Sequence, residues 1–227
     1  MFLDDLVARC HANLPRYPEA VEYLKNRFVT DDDIKAYRLG YSKVVTIPDD
    51  GHPDYKRFMG ETHKGRDFEA KIILPMMDGL DRVMGIAGRA VASKEFKTFI
   101  TSEANFCGFF FGLYQALPYI YSSNRVYTVE GWFDEIAMRK ALPNTVATGT
   151  SGISEQQYEY LRFYCDQVVT CFDSDKAGEM GRERAERLFN TMSFNLGYKD
   201  PAKCLEMLGL QKFKAFVTNK AKVLPPF

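Results

Sequence analysis

The chain has 227 residues, a length that accommodates one or two domains. Hydrophobic residues make up 46%, which excludes wholesale disorder, and 30 Lys+Arg balance 30 Asp+Glu, which excludes a blanket polycation. No apolar run approaches the roughly 18 residues of a membrane span, and the opening Met-Phe-Leu-Asp-Asp places acids where a secretion signal needs positive charge, so no membrane association and a cytoplasmic location are expected. The five cysteines (10, 107, 165, 171 and 204) form no C-x-x-C pair, so neither a zinc ribbon nor a disulfide framework is expected.

In chain order, Pro18 fits the first turn of a helix, with Val21, Leu24 and Phe28 on one face. Thr30 is a plausible N-cap for a second short helix. Residues 48–70 read as a long polar loop. Ile72 to Leu74 reads as a strand ended by Pro75, and Asp78-Gly79 as a turn into a second strand, Arg82 to Ile86. A third strand is expected at 96–101.

The pattern changes near residue 123. Strands at Val126–Val129, Thr145–Thr148 and Gln167–Phe172 alternate with helices at about 133–142, 155–164 and 176–191, which indicates a parallel sheet. Ser154 and Gln157 fit a capping box. The tail after Gly197 reads as one or two small amphipathic helices. The expected organisation is an α+β unit over 1–122, an α/β parallel-sheet unit over 123–198 and a helical tail over 199–227.

Charge is partitioned. Residues 56–97 hold nine bases against six acids, and residues 130–187 hold eleven acids against seven bases. This is either surface scatter or a basic half for a polyanion beside an acidic half for metal ions. Glu130 ends one parallel strand, and Asp173 and Asp175 end another. Ligand sites in open α/β sheets lie beyond the carboxyl ends of the strands, and Mg²⁺ takes one or two carboxylates plus water and phosphate oxygens. Asp134 lies one helical turn after Glu130. A D-x-D turn alone is more often an N-cap with a solvated acid. The helix start near Gly178 and the Gly149-Thr150-Ser151-Gly152 loop offer backbone N–H groups to a phosphate, though the glycines also serve a turn.

The segments VEGWFDEIAM, ATGTSG and VVTCFDSDKAGEMGRERAERL resemble the Toprim domain shared by DnaG-type primases, topoisomerases and several nucleases. Upstream, EAVEYLKNRFVTDDDIKAYRLGYS, KIILPMMDGLDRVMGIAGRAV, FKTFITSE and GLYQAL resemble successive segments of the primase polymerase core, so the likeness covers roughly residues 17–205. The resemblance implies RNA primer synthesis on single-stranded DNA from ribonucleoside triphosphates, with Mg²⁺ or Mn²⁺ and without zinc, and with a replicative helicase or other replication protein as partner, in a bacterial cytoplasm or a phage-infected host. It makes Glu130 the catalytic acid of a first metal cluster with Asp173 and Asp175, assigns Asp134 and Asp200 to a second cluster, and matches Arg27, Arg89 and Lys97 to residues that track nucleic-acid and nucleotide phosphates. Glu130 is a base or a metal ligand; the residues do not separate the roles.

The chain departs from that pattern in two places. The family's D-P-D motif is Asp200-Pro201-Ala202, one acid short, and its H-K-G motif is replaced by Asn105-Phe106-Cys107-Gly108. Phe109 to Phe111 read as core. The form resembles compact phage primases, with no zinc-binding domain ahead of the core and little after it. The rival readings are a Toprim nuclease and a non-catalytic, DNA-binding relative. Cys10 is expected to pack on a first helix, and the tail, with Phe213, Phe216 and Phe227, to dock a partner or to pack back on the sheet.

Overall fold

The computed structural model describes residues 2–43, 69–91, 97–101 and 109–223. Most of the 48–70 loop, the 105–108 segment and Phe227 lie outside them. The chain divides into two compact units between residues 106 and 107, where the sequence placed the boundary near 122.

In the first unit, α1 (Phe2–Asn13) leads through a 3₁₀ turn at Leu14–Arg16 to α2 (Pro18–Lys25) and α3 (Asp31–Ala36). Four strands follow: β1 (Gly40–Ser42), β2 (Lys71–Met77), β3 (Val83–Ala90) and β4 (Lys97–Thr101). They form an antiparallel sheet in the order β1-β2-β3-β4. Thr30 caps α3, and Asp33 reaches back to its N–H at 2.8 Å, completing a capping box. Leu3, Leu6, Val7 and Cys10 of α1 cluster with Ile73, Met77, Val83 and Ile86 of the sheet. Cys10 is buried there, and burial pushes its thiol up to about 11. Gly40 passes so close that a Cβ on it would lie 2.6 Å from the Cys10 backbone carbon, so α1 seats on β1 only over a glycine.

Two local expectations are corrected. Phe28 does not continue the α2 face: it lies past the helix with φ 60° and is exposed. Pro75 does not end its strand. It sits inside β2, opposite Ile86. β1 pairs with β2 only as far as Ile73, so the side on which proline lacks an N–H faces no strand. The β2–β3 turn falls at Asp78 as expected. Asp78 Oδ1 accepts the N–H groups of Leu80 and Arg82, and Oδ2 accepts Arg82 Nε at 2.7 Å. Burial opposes its charge, but these donors outweigh it and hold the carboxyl below its ordinary value. The left-handed residue of this turn is Asp81, not Gly79.

The second unit opens with α4 (Leu113–Ser123) and then alternates β5 (Arg125–Val129), α5 (Trp132–Arg139), β6 (Thr145–Ala147), α6 (Glu155–Arg162), β7 (Gln167–Thr170), α7 (Lys176–Phe189) and β8 (Met192–Ser193). The sheet is wholly parallel, in the order β6-β5-β7-β8. Leu113, Ala116, Leu117 and Ile120 of α4 share a core with Val126, Val146 and Val168 of the sheet, which is why α4 belongs to this unit. Phe110 and Phe111 are buried. The expected α7 stops two residues short, because Asn190 adopts the left-handed conformation and frees the chain for the edge strand β8.

The tail is α8 (Pro201–Lys222), broken at Gly209 with φ 71°. It packs on α5. Cys204, Leu205, Phe213 and Val217 are fully buried. Phe213 is therefore a core residue, but the helix that carries it packs on α5, where the sheet was the expected surface. Among the described residues, no helix is long and apolar enough to cross a membrane.

Candidate active site at the carboxyl ends of the parallel strands

β5 and β7 are adjacent, and Thr128 pairs with Thr170, so the two strands end at the same sheet edge. Glu130 leaves one end and Asp173 to Asp175 leave the other. The structure joins them directly: Glu130 Oε1 accepts the backbone N–H of Asp173 at 3.0 Å. The loop after β6 is tied in as well, because Gly149 N–H donates to the Glu130 carbonyl at 2.9 Å.

The Asp-x-Asp loop is held from three directions. Asp175 caps α7, with Oδ1 accepting Gly178 N–H at 2.9 Å. Arg182, two turns along α7, donates from Nη1 to the carbonyls of Phe172 and Asp173, each at 2.8 Å. Ser174 donates its N–H to the Lys199 carbonyl at 2.8 Å and its hydroxyl to the Tyr198 carbonyl at 2.5 Å. A Cβ at position 178 would lie 2.2 Å from the Asp173 carbonyl oxygen and 2.7 Å from Glu130 Oε1. Glycine there is what lets the helix start, the D-x-D loop and the Glu130 carboxylate come together.

Asp134 and Asp200 meet at a different point, the start of α8. Asp200 Oδ1 caps Lys203 N–H at 2.6 Å, and Asp134 Oδ1 accepts Ala202 N–H at 3.1 Å. Both carboxylates thus bond the orphan N–H groups of one helix N-terminus. Among the described residues, no three His, Cys, Asp or Glu side chains close into a group that could hold a metal ion. The donor set still fits a hard cation. It is carboxylate only, partly exposed, and Mg²⁺ asks for just one or two such groups when water and phosphate oxygens complete its shell.

The basic candidates lie in the first unit. Arg27 stacks its guanidinium 3.8 Å from the centre of the Tyr23 ring, and Arg89 Nε donates to the Tyr23 hydroxyl at 3.2 Å. Burial lowers the pKa of Arg27, the Tyr23 hydroxyl opposes this, and the neighbouring Arg89 lowers it further. Lys97 is the cross-strand register partner of Arg89. The structure thus brings Arg27 and Arg89 together at Tyr23 and sets Lys97 opposite Arg89. Tyr23 went unnoticed in the sequence, although its place one helical turn before Arg27 was the available signal. Arg182 was missed too, since an arginine on a charged helix gives no sign that it turns inward. Glu135, on the first turn of α5, holds a structural place. It is wholly buried and lies against Gly112, where a Cβ would sit 2.3 Å from its Oε1.

Residues 127–204 match the family model described as Toprim-like. The chain is 25% identical, over 91% of its length, to the DNA primase of Thermotoga maritima, and 29% identical, over 75%, to that of Synechococcus elongatus. It spans 40% and 28% of those relatives, and 30% of the Rickettsia typhi DNA primase, so it corresponds to well under half of each. A solved DnaG catalytic core superposes with a TM-score of 0.79 at 21% identity, covering 96% of this chain and 78% of that one. The zinc-binding and RNA polymerase domains of the Aquifex aeolicus primase give 0.74 at 21% identity, covering 96% and 60%. A DnaG primase catalytic domain bound to single-stranded DNA gives 0.77 at 21% identity, covering 96% and 79%. The chain therefore carries a Toprim-like domain within the fold of the DnaG-type primase catalytic core, which it also resembles in sequence.

Proposed function

We propose that this chain is a primase-type nucleotidyltransferase that makes short RNA on a single-stranded DNA template. The observation that carries the reading is the junction of Glu130 with the Asp-x-Asp loop across adjacent parallel strand ends. The matched relatives are DNA primases, which supports the same reading. In the reaction a primer 3′-hydroxyl attacks the α-phosphate of a ribonucleoside triphosphate, and pyrophosphate leaves. Mg²⁺ or Mn²⁺, when bound, lowers the hydroxyl's pKa and offsets the charge developing on phosphorus.

Glu130, Asp173 and Asp175 are the residues that would hold that ion. Glu130 has one oxygen committed to Asp173 N–H, which fixes the direction of the other. Asp134 and Asp200 would form the second acidic pair, with position 202 contributing no carboxylate. Arg27, Arg89 and Lys97 would bind template, primer or nucleotide phosphates, and Tyr23 orients the two arginines. A replicative helicase or other replication protein is the expected partner.

The test incubates the chain with single-stranded template, labelled ribonucleotides and Mg²⁺ or Mn²⁺. Short RNA that disappears with Glu130→Gln supports the reading. Template cleavage without RNA assigns the same acids to a nuclease, and neither product leaves a non-catalytic DNA-binding relative.

A further inference from the structure

The wall of α7 that faces away from Arg182's carbonyl partners borders a groove of about 810 Å³. Its opposite wall is the loop after β6. The loop side presents Thr150, Ser151 and Ser154, and the helix side presents Ala177, Met180, Arg184 and Arg187. Positions 177, 180, 184 and 187 recur at helical spacing on one face of α7, and Gly181 and Glu183 flank it along the same wall. From Ala177 to Arg187 that face runs about 15 Å. It starts beside Gly178, where a Cβ would meet Glu130 Oε1 and the Asp173 backbone.

The loop wall is built in advance. Thr148 Oγ1 donates to the Thr150 carbonyl at 2.8 Å, and Thr150 Oγ1 donates to the Gly152 carbonyl at 3.1 Å. Ser154 and Gln157 form the capping box of α6, and the buried Gln157 amide also donates to the Thr148 carbonyl at 3.1 Å. The loop seats on α7 at Gly181, where a Cβ would lie 2.1 Å from the Ser151 carbonyl oxygen. No part of this bracing uses the arginines. Arg184 and Arg187 are exposed, and among the described residues neither has an ion pair or hydrogen bond, although Glu183 lines the same groove. Other arginines of this unit are engaged: Arg182 with two carbonyls, Arg162 with Asp166, Arg139 with the Gln115 carbonyl.

Two uncommitted guanidinium groups facing hydroxyls and an apolar floor of Ile153 and Met180 match a strand of phosphates with bases laid beside it. We propose that this groove binds a single-stranded segment of nucleic acid, with Arg184 and Arg187 on successive phosphates, and leads it along α7 away from the acidic site. The assignment rests on the nucleotidyltransferase reading and adds a strand path to it.

The test measures binding of a fluorescein-labelled single-stranded oligo-dT by the full chain across 50–200 mM salt, in the parent, R184A/R187A and R184K/R187K. Each phosphate contact to a single strand contributes about −0.7 to the slope of log affinity against log salt, so the alanine pair should be shallower by about 1.4. Across that fourfold salt range the parent should then lose about sevenfold more affinity than the alanine pair. The lysine pair should keep the parent slope, because it keeps the charges. Both substituted side chains are exposed and unbonded, so the fold is expected to persist. A slope and affinity unchanged in R184A/R187A, in a parent that synthesises RNA, overturn the groove and leave the nucleotidyltransferase reading standing. A parent that neither binds the oligonucleotide nor makes RNA overturns both.

Discussion

Asp134 and Ala202 are 68 residues apart, yet the aspartate carboxylate accepts the alanine N–H at 3.1 Å. A side chain on the first turn of α5 thereby caps the first turn of α8. Asp200 caps the same turn from within. The two acids assigned to a second metal cluster are thus already bonded to backbone donors, and the third position of that cluster is an alanine.

Both caps should therefore register as stability. Asp134→Ala or Asp200→Ala is expected to cost about 1 kcal/mol each, as helix caps do. Urea unfolding monitored by circular dichroism measures it. A loss of activity with no change in the urea midpoint would instead assign these carboxylates wholly to ligand binding.

Gly178→Ala places a methyl group where Asp173 and Glu130 oxygens already stand. The backbone oxygen cannot swing aside like a flexible side-chain end, so the D-x-D loop must move. A cost of about 1–3 kcal/mol in stability is expected, together with loss of primer synthesis larger than that cost explains. The check is synthesis assayed at a temperature where the variant remains fully folded; retention of parental rates there would argue against the geometry.

Glu130→Gln keeps an oxygen for the Asp173 N–H but removes the charge. The variant should unfold at the parental urea concentration while RNA synthesis falls by roughly 10² or more, the scale of losing a group that handles a proton or directs a metal-bound one. Comparable synthesis by parent and variant would remove Glu130 from the chemistry.

Alkaline pH should weaken the fold. Burial raises the thiols of Cys10, Cys165 and Cys204 to about 11 from an ordinary 9.0, and pushes Cys171 further the same way. Above pH 9 the unfolded chain releases these protons while the folded chain holds them. Their contribution is present below about pH 9 and lost as pH rises toward 11. Urea midpoints taken at pH 8 and 10.5 should show the drop, and replacing the four cysteines with alanine should flatten it.

A chain ending at Lys199 loses α8, and with it Phe213, Val217, Cys204 and Leu205, all fully buried. Burying one such side chain contributes about 1.5–3 kcal/mol. The shortened protein is expected to aggregate, as sedimentation or light scattering would reveal. A soluble, cooperatively unfolding product would show that α8 is not core.

The alternation of strands and helices, and the acids at the strand ends, were legible because they depend on local periodicity and on one rule of α/β topology. The Ser154–Gln157 capping box was legible for the same reason: its signal spans three residues. What escaped depends on distant partners. Pro75 reads as a strand end until β1 is known to stop at Ile73. Phe213 stays open between docking and packing, because the α8 pattern is interrupted at Gly209. The close approach of Gly181 to the Ser151 carbonyl joins segments 30 residues apart. The Tyr23–Arg27 spacing is local, but the bond of Tyr23 to Arg89 spans 66 residues and depends on β3.

The bonds from Ser174 to the carbonyls of Tyr198 and Lys199 set an order of events during synthesis. A ribosome that has released the D-x-D loop has not yet released the residues that anchor it. Until about 25 more residues emerge, the acids can sit on a formed strand without their final orientation. Catalytic competence would then mature behind the sheet itself. Stalled nascent chains ending before Tyr198 should protect the β5 and β7 amides from hydrogen exchange while leaving the Ser174 amide open.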